Sequence, residues 1–204
     1  MSKHPMISVL GDGQLVPGFK NMILVVGREA NFLGEGGPDI GPYDLKGTPR
    51  CGFWNTAHKL IGELLDPKLS TRELKARLLG NGPGNERSPI AFADISPIPL
   101  RMERQDKDEI RSSIPEKIRA HVDALAAHPF VKTRVGVVII GSGYKKELAE
   151  GENRLMDRIR SLDIKVVHTR FLYPTNWPRI IQELQSIDAA VVADVRRLML
   201  PFLK

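Results

Sequence analysis

The sequence predicts an α/β fold: a three-layer αβα sandwich around a central, mainly parallel sheet of at least four strands. Three observations lead there. Short β-branched runs recur at Met22 to Val26, Ile90 to Ile95, Val135 to Ile140 and Ile164 to Val167. None has the apolar–polar alternation of a half-exposed sheet, so both faces of each strand are expected to be covered. Stretches of helical spacing separate the runs, and these intervals are long enough for right-handed crossovers between parallel strands.

Taken in chain order, Met6 to Leu10 is a candidate edge strand and Met22 to Val26 the first core strand. Phe32 to Gly52 carries many glycines and prolines without apolar periodicity, and reads as a ligand-binding loop after that strand. Helical spacing follows over Phe53 to Leu65 and Ser70 to Leu79, the second opened by the capping box Ser70-Thr-Arg-Glu73. Gly80 to Pro89 reads as a surface loop, Ile90 to Ile95 as a core strand, and the mixed-charge run Arg101 to Arg111 as a solvated connection. Ser113-Ile-Pro-Glu116 is a second capping box, with proline in the first turn, and predicts a helix over Pro115 to Ala127. The strand Val135 to Ile140, a helix over Lys145 to Arg160, the strand Ile164 to Val167, and a helix from Pro178 through Leu198 broken near Ser186 complete the chain.

With 204 residues and 42% hydrophobic content, the chain can bury a sizeable core, and residues 1–204 are expected to form one domain. A formal charge of +6 favours a polyanionic partner such as nucleic acid. Cys51 is alone, which excludes an intramolecular disulfide framework, a four-cysteine iron–sulfur cluster and a cysteine-rich zinc site. The N-terminus has no apolar signal region, and the apolar runs are too short to span a bilayer. The expectation is a soluble cytoplasmic protein without membrane contact, metal or other cofactor; oligomeric state stays open. His58, His121 and His128 lack metal-ligand spacing and read as structural. Gly34-Glu-Gly-Gly37 matches neither a dinucleotide fingerprint nor a Walker loop, and Gly141-Ser-Gly143 lacks the longer nucleophile-elbow pattern.

Three strand-like runs end in polar residues: the first in Gly27-Arg28-Glu29-Ala30-Asn31, the second in Asp94, the last in His168. The carboxyl ends of parallel strands converge on one crevice in an open α/β sheet, so these residues are the candidates for a shared site.

Their order and spacing, from about Ile23 to Leu184, resembles the uracil-DNA glycosylase superfamily, whose members extrude a base and cut its N-glycosidic bond. The resemblance implies that Glu29, third in the motif after the first strand, orients water, although the usual proline is missing. It implies that Phe53 of Phe53-Trp54 stacks on the extruded base, that Asp94 reads the base edge where the family frequently has asparagine, and that Asn31 adds a base contact. In His168-Thr-Arg-Phe-Leu172, it implies that His168 stabilises the departing base and that Leu172 wedges into the duplex. Arg28, Lys46, Arg50 and Arg170 would hold DNA phosphates.

Cleavage develops positive charge on the sugar and negative charge on the base, which is why a carboxylate and an imidazole suit the reaction. An ionised Asp only accepts hydrogen bonds, so Asp94 would favour an amino-bearing base edge. The expectation is therefore a DNA glycosylase-like protein acting on a damaged or deaminated base. The alternatives are a non-catalytic nucleic-acid-binding module of the same fold, or a nucleoside- or nucleotide-handling enzyme.

Overall fold

The computed structural model describes residues 6–11, 22–29, 40–43, 52–65, 87–97, 107–141, 146–170 and 172–203. Strands β1 (Ile7–Gly11), β2 (Met22–Glu29), β3 (Ile40–Tyr43), β4 (Arg87–Ser96), β5 (Val135–Ile140) and β6 (Lys165–His168) form one sheet in the order β3-β1-β4-β2-β5-β6. Here β4, β2, β5 and β6 run parallel, as the long intervals between them require. β1 is antiparallel to β4, and β3 lies parallel to β1.

Among the described residues six α-helices accompany the sheet: α1 (Gly52–Leu65), α2 (Lys107–Ala127), α3 (Pro129–Arg134), α4 (Lys146–Arg160), α5 (Trp177–Gln185) and α6 (Ala189–Leu203). Side chains alternate across a strand, so each core strand feeds two layers. Leu24, Val26, Ala91, Ala93, Val138 and Ile140 pack with Ile118, Val122 and Leu125 of α2 and Leu148, Leu155 and Ile159 of α4. Ile23, Val25, Ile90, Phe92, Val137, Ile139 and Val167 pack with Ala57, Leu60 and Ile61 of α1, Ile180 of α5 and Val195 of α6. Two apolar faces and two helix layers make the three-layer sandwich that the unalternating strands predict.

Three expectations are corrected. The first strand is not an edge: β1 lies between β3 and β4. The edge is β3, which falls inside the stretch read as loop; its short Ile-Gly-Pro-Tyr sequence has too few apolar residues for a period, and Pro42 is tolerated at an edge because no outward N–H is needed there. The capping box at Ser113 does not start a helix, since α2 already runs from Lys107 and passes through Pro115. Proline's φ fits a helix, and its cost is one absent donor and crowding of the preceding turn. The break near Ser186 does separate α5 from α6, where Ser186 N–H donates to the Glu183 carbonyl at 3.1 Å. The helix expected over Ser70 to Leu79 lies outside the described residues. No helix among the described residues is long and apolar enough to cross a membrane.

Candidate functional site

Asp94 stands two residues before the carboxyl end of β4, in register with Gly27 of β2. Strand alternation puts it on the same face as Phe92, in the α1 layer. Its backbone and side chain are held from opposite sides. From the α2 layer, the His121 Nε2–H donates to the Asp94 carbonyl at 3.0 Å. Burial pushes the His121 pKa down, with the carbonyl bond opposing, so the ring is a neutral donor here. The Asp94 side chain lies over Gly27, where a Cβ would sit 2.8 Å from its Oδ1 and 3.0 Å from the Phe92 ring. Glycine is required because the carboxylate occupies the space of a side chain.

Several buried polar groups lie in this layer. Asp94 is 8% exposed, and Ser96, Ser8 and Thr56 are also buried. Ser8 pairs with Phe92 across β1 and β4, and its buried Oγ has no hydrogen-bond partner among the described residues. A buried hydroxyl without a partner among the described residues is costly in an apolar layer.

Helix α1 is aimed at the same edge. The Arg196 Nε–H of α6 donates to the Leu64 carbonyl near the end of α1 at 2.8 Å, while Asp194 of α6 pairs with Lys165 at the start of β6 at 3.0 Å. The end of α1 is thus near the amino ends of the strands, and its start, with Phe53, is toward their carboxyl ends. Glu29 stands opposite Ser96, two residues beyond the Gly27–Asp94 pair. The side chains of Glu29 and Phe53 lie outside what is described, as do Asn31, Lys46 and Arg50 altogether.

His168 ends β6 opposite Ile140. Val166 packs in the α2–α4 layer and Val167 in the other, so alternation returns His168 to the α2–α4 layer. There its Nε2 lies 3.3 Å from Oε2 of Glu152 in α4, with the carboxylate 7% exposed and the imidazole 46% exposed. The bond to Glu152 raises the His168 pKa, against the opposing effect of burial. This corrects the expectation that Asp94 and His168 share one cavity. They sit on opposite faces of the sheet with β2 and β5 between them. Three strand spacings amount to about 14 Å, more than one base can bridge.

The segment after β6 is also bound differently from the expectation. Glu183 of α5 accepts from the Thr169 hydroxyl at 3.0 Å, the Arg170 backbone N–H at 2.9 Å and the Arg170 Nε–H at 2.5 Å. Burial alone would raise the Glu183 pKa, but these donors together hold it below the ordinary value. Arg170 therefore faces a carboxylate, and a phosphate would have to compete with Glu183 for it. Leu172 is fully buried, and a Cβ on Gly141 would come within 2.6 Å of its Cγ. The expected wedge is a core side chain, because the loop crosses so close over Gly141 that its leucine points into the α1 layer. Arg28 alternates onto the α2–α4 side of β2 and is half-buried.

Three polar residues were not among the sequence candidates: Glu152, Glu183 and His121. Glu152 did leave a signal. Leu148, Glu152, Leu155 and Ile159 fall on one helical stripe, so a carboxylate occupies a core position of α4. His128, read as structural, caps α3 by accepting the Phe130 N–H on Nδ1 at 3.1 Å. Among the described residues, no group of three or more His, Cys, Asp or Glu side chains could hold a metal ion. Comparison with protein-family models and with curated protein sequences finds no match to this chain.

Proposed function

We propose that the protein is a DNA glycosylase-like base-recognition domain, with its base site in the α1 layer at the carboxyl edge of the sheet. The observation that carries this reading is Asp94, an enclosed carboxylate seated over Gly27 near the carboxyl end of a core strand. This carboxylate stands near the carboxyl end of a parallel strand, the side of the sheet on which open α/β folds bind ligands. Asp94 accepts hydrogen bonds from the amino group of a base edge, Glu29 orients water toward the sugar, and Phe53 at the start of α1 stacks on the ring. The +6 charge favours the phosphate backbone as the wider partner.

Base release from oligonucleotides carrying uracil, hypoxanthine, xanthine or an amino-bearing damaged base tests the reading. Asp94→Asn should shift preference from amino-bearing toward keto-bearing edges by about 10- to 100-fold, the range of one charge-assisted hydrogen bond. If no base is released and Asp94→Asn leaves oligonucleotide affinity unchanged, the reading fails.

A second reading, a binding module without cleavage, is favoured by the distance of His168 from Asp94. A leaving base seated at Asp94 is out of reach of the His168 imidazole. Salt-dependent DNA binding without base release distinguishes this module from the enzyme. The third possibility, a nucleotide-handling enzyme, requires a free nucleotide to raise the melting temperature while DNA binding stays weak.

A further inference from the structure

We propose that His121 is a positioning residue for the Asp94 site: through its bond to the Asp94 carbonyl, α2 fixes the direction in which the Asp94 carboxylate meets a base edge on the other face of the sheet. The inference rests on the reading of Asp94 as the base-edge acceptor, and it names the residue that sets the selectivity of that acceptor.

His121 occupies a place on α2 where an apolar residue would serve packing. Ile118, Val122 and Leu125 around it are buried in the core, and residues three and four apart share one stripe of a helix. An imidazole on that stripe is costly unless a partner meets it. The Asp94 carbonyl is a partner, 3.0 Å from Nε2. A carbonyl only accepts, so Nε2 carries the proton. Burial lowers the His121 pKa, which keeps the ring neutral and adds no cation behind the carboxylate.

The position of Asp94 in the ladder gives this bond its use. On one side β4 pairs with β2, Asp94 standing against Gly27. On the other side β1 pairs Ser8 with Phe92, and the same antiparallel register would set Met6 against Asp94, one residue before β1 begins. The paired part of β1 stops short, and His121 reaches the Asp94 peptide from the helix layer. The next residue is gripped from that layer too, since a Cβ on Gly151 of α4 would come within 2.6 Å of Ile118 and 2.8 Å of Ile95. Asp94 and Ile95 are thus anchored on the α2–α4 side, while the Asp94 carboxylate emerges over Gly27 on the other. Peptide plane and side chain share the Asp94 Cα, so a tilt of the peptide swings the carboxylate. Hydrogen bonds weaken steeply as their angle closes, and a small swing therefore costs selectivity before it costs the fold.

Single-stranded oligonucleotides that differ only in one cytosine or uracil test the proposal, with the ratio of their dissociation constants as readout. His121→Leu removes the donor and should narrow the ratio about three- to tenfold, the range of one neutral hydrogen bond. His121→Gln, whose amide N–H can reach the same carbonyl, should restore the parent ratio. Asp94→Asn removes the reader itself and serves as control. The carboxyl-carbon NMR resonance of Asp94, assigned by its loss in Asp94→Asn, reports positioning without a ligand: it should move in His121→Leu and return in His121→Gln. A role in stability alone would leave both the ratio and the resonance unchanged. The proposal is overturned if folded His121→Leu keeps the parent resonance, or if it keeps a ratio that Asp94→Asn abolishes. A ratio shared by the parent and Asp94→Asn instead defeats the reading of Asp94, and the positioning role falls with it. Should His121→Leu not fold, His121→Asn, whose amide is one methylene too short for the carbonyl, takes its place. Should neither fold, the long-range proton–nitrogen spectrum of the parent decides: a protonated Nε2 and bare Nδ1 on His121 uphold the contact, and the reverse tautomer overturns it.

Discussion

Asp94 and His168 both lie at or near the carboxyl ends of parallel strands of one sheet and both touch a partner across a layer, yet their surroundings differ in kind. Asp94 is enclosed, its carboxylate over a glycine and its carbonyl held by a neutral histidine. His168 lies on the edge strand, half open to solvent, and rests on a buried acid. The difference teaches that convergence of strand ends is not convergence of side chains. Strand parity decides the face and strand order decides the distance, and here both separate the two groups.

The largest effect that could break this comparison concerns Leu172. As a core residue, Leu172→Ala should cost about 2–5 kcal/mol in urea unfolding. A wedge standing in solvent would change stability by no more than about 0.5 kcal/mol. A small value would return the leucine to the surface and the loop to the earlier expectation.

Gly27→Ala comes next. The added methyl meets Asp94 Oδ1 and the Phe92 ring, so a loss of about 1–3 kcal/mol is expected. Combining it with Asp94→Ala should recover part of that loss, because the carboxylate is what the methyl strikes, and a coupling of about 0.5–3 kcal/mol would mark the contact. Additive effects in the double variant would mean that Asp94 does not sit over Gly27.

The two histidines should sharpen the comparison through pH, with opposite signs. His121 has its pKa lowered, so the unfolded chain binds the proton first; its contribution is lost as pH falls below the unfolded value of about 6.5. His168 has its pKa raised, so its contribution is fully present below about 6.5 and is lost as pH rises through the folded value. Stability measured against pH in His121→Gln should lose the acid-side slope, and in His168→Gln the slope on the alkaline side. An exchange of these two slopes would reverse the assignment of the neutral and charged rings.

Glu183 and Asp123 give a smaller acid-side effect. Both carboxyls have lowered pKa values, Glu183 because the Arg170 and Thr169 donors outweigh burial, and Asp123 chiefly through its hydrogen bond to Arg154. Their stabilisation is present above the unfolded carboxyl range and disappears as pH falls through the folded values. Glu183→Gln should flatten the acid-side loss and loosen the segment after β6, measured as faster amide exchange at Arg170. The smallest effect belongs to Arg119→Ala: its partner Glu150 is exposed, so urea unfolding should move by about 0–1 kcal/mol.

Much of the architecture was legible because burial leaves a direct trace in residue type. Val135 to Ile140 reads as a strand to the residue, since all of its side chains are buried and β-branched types dominate. The α5–α6 break near Ser186 was legible from a local turn in an otherwise periodic stretch. β3 was not, because a four-residue edge strand with Gly and Pro has no pattern to show. The early start of α2 at Lys107 was hidden for a related reason: its first turns carry charged residues rather than an apolar stripe.

The site was legible in its members more than in its arrangement. His168 does end its strand, as its position after an apolar run suggests, whereas β2 and β4 each continue two residues beyond Gly27 and Asp94. Glu152 was visible only as an acid on the apolar stripe of α4, and its meaning depends on a residue in another strand.

By itself the sequence determined the alternation of strands and helices, the covering of both sheet faces and the identity of the polar strand ends, because these follow from local periodicity and the need to bury apolar surface. Tertiary structure alone decided that Asp94 and His168 face opposite layers, that Leu172 turns inward and that Glu152 meets an imidazole. Those outcomes depend on strand order, register and crossing distance, which are set by packing between segments far apart in the chain.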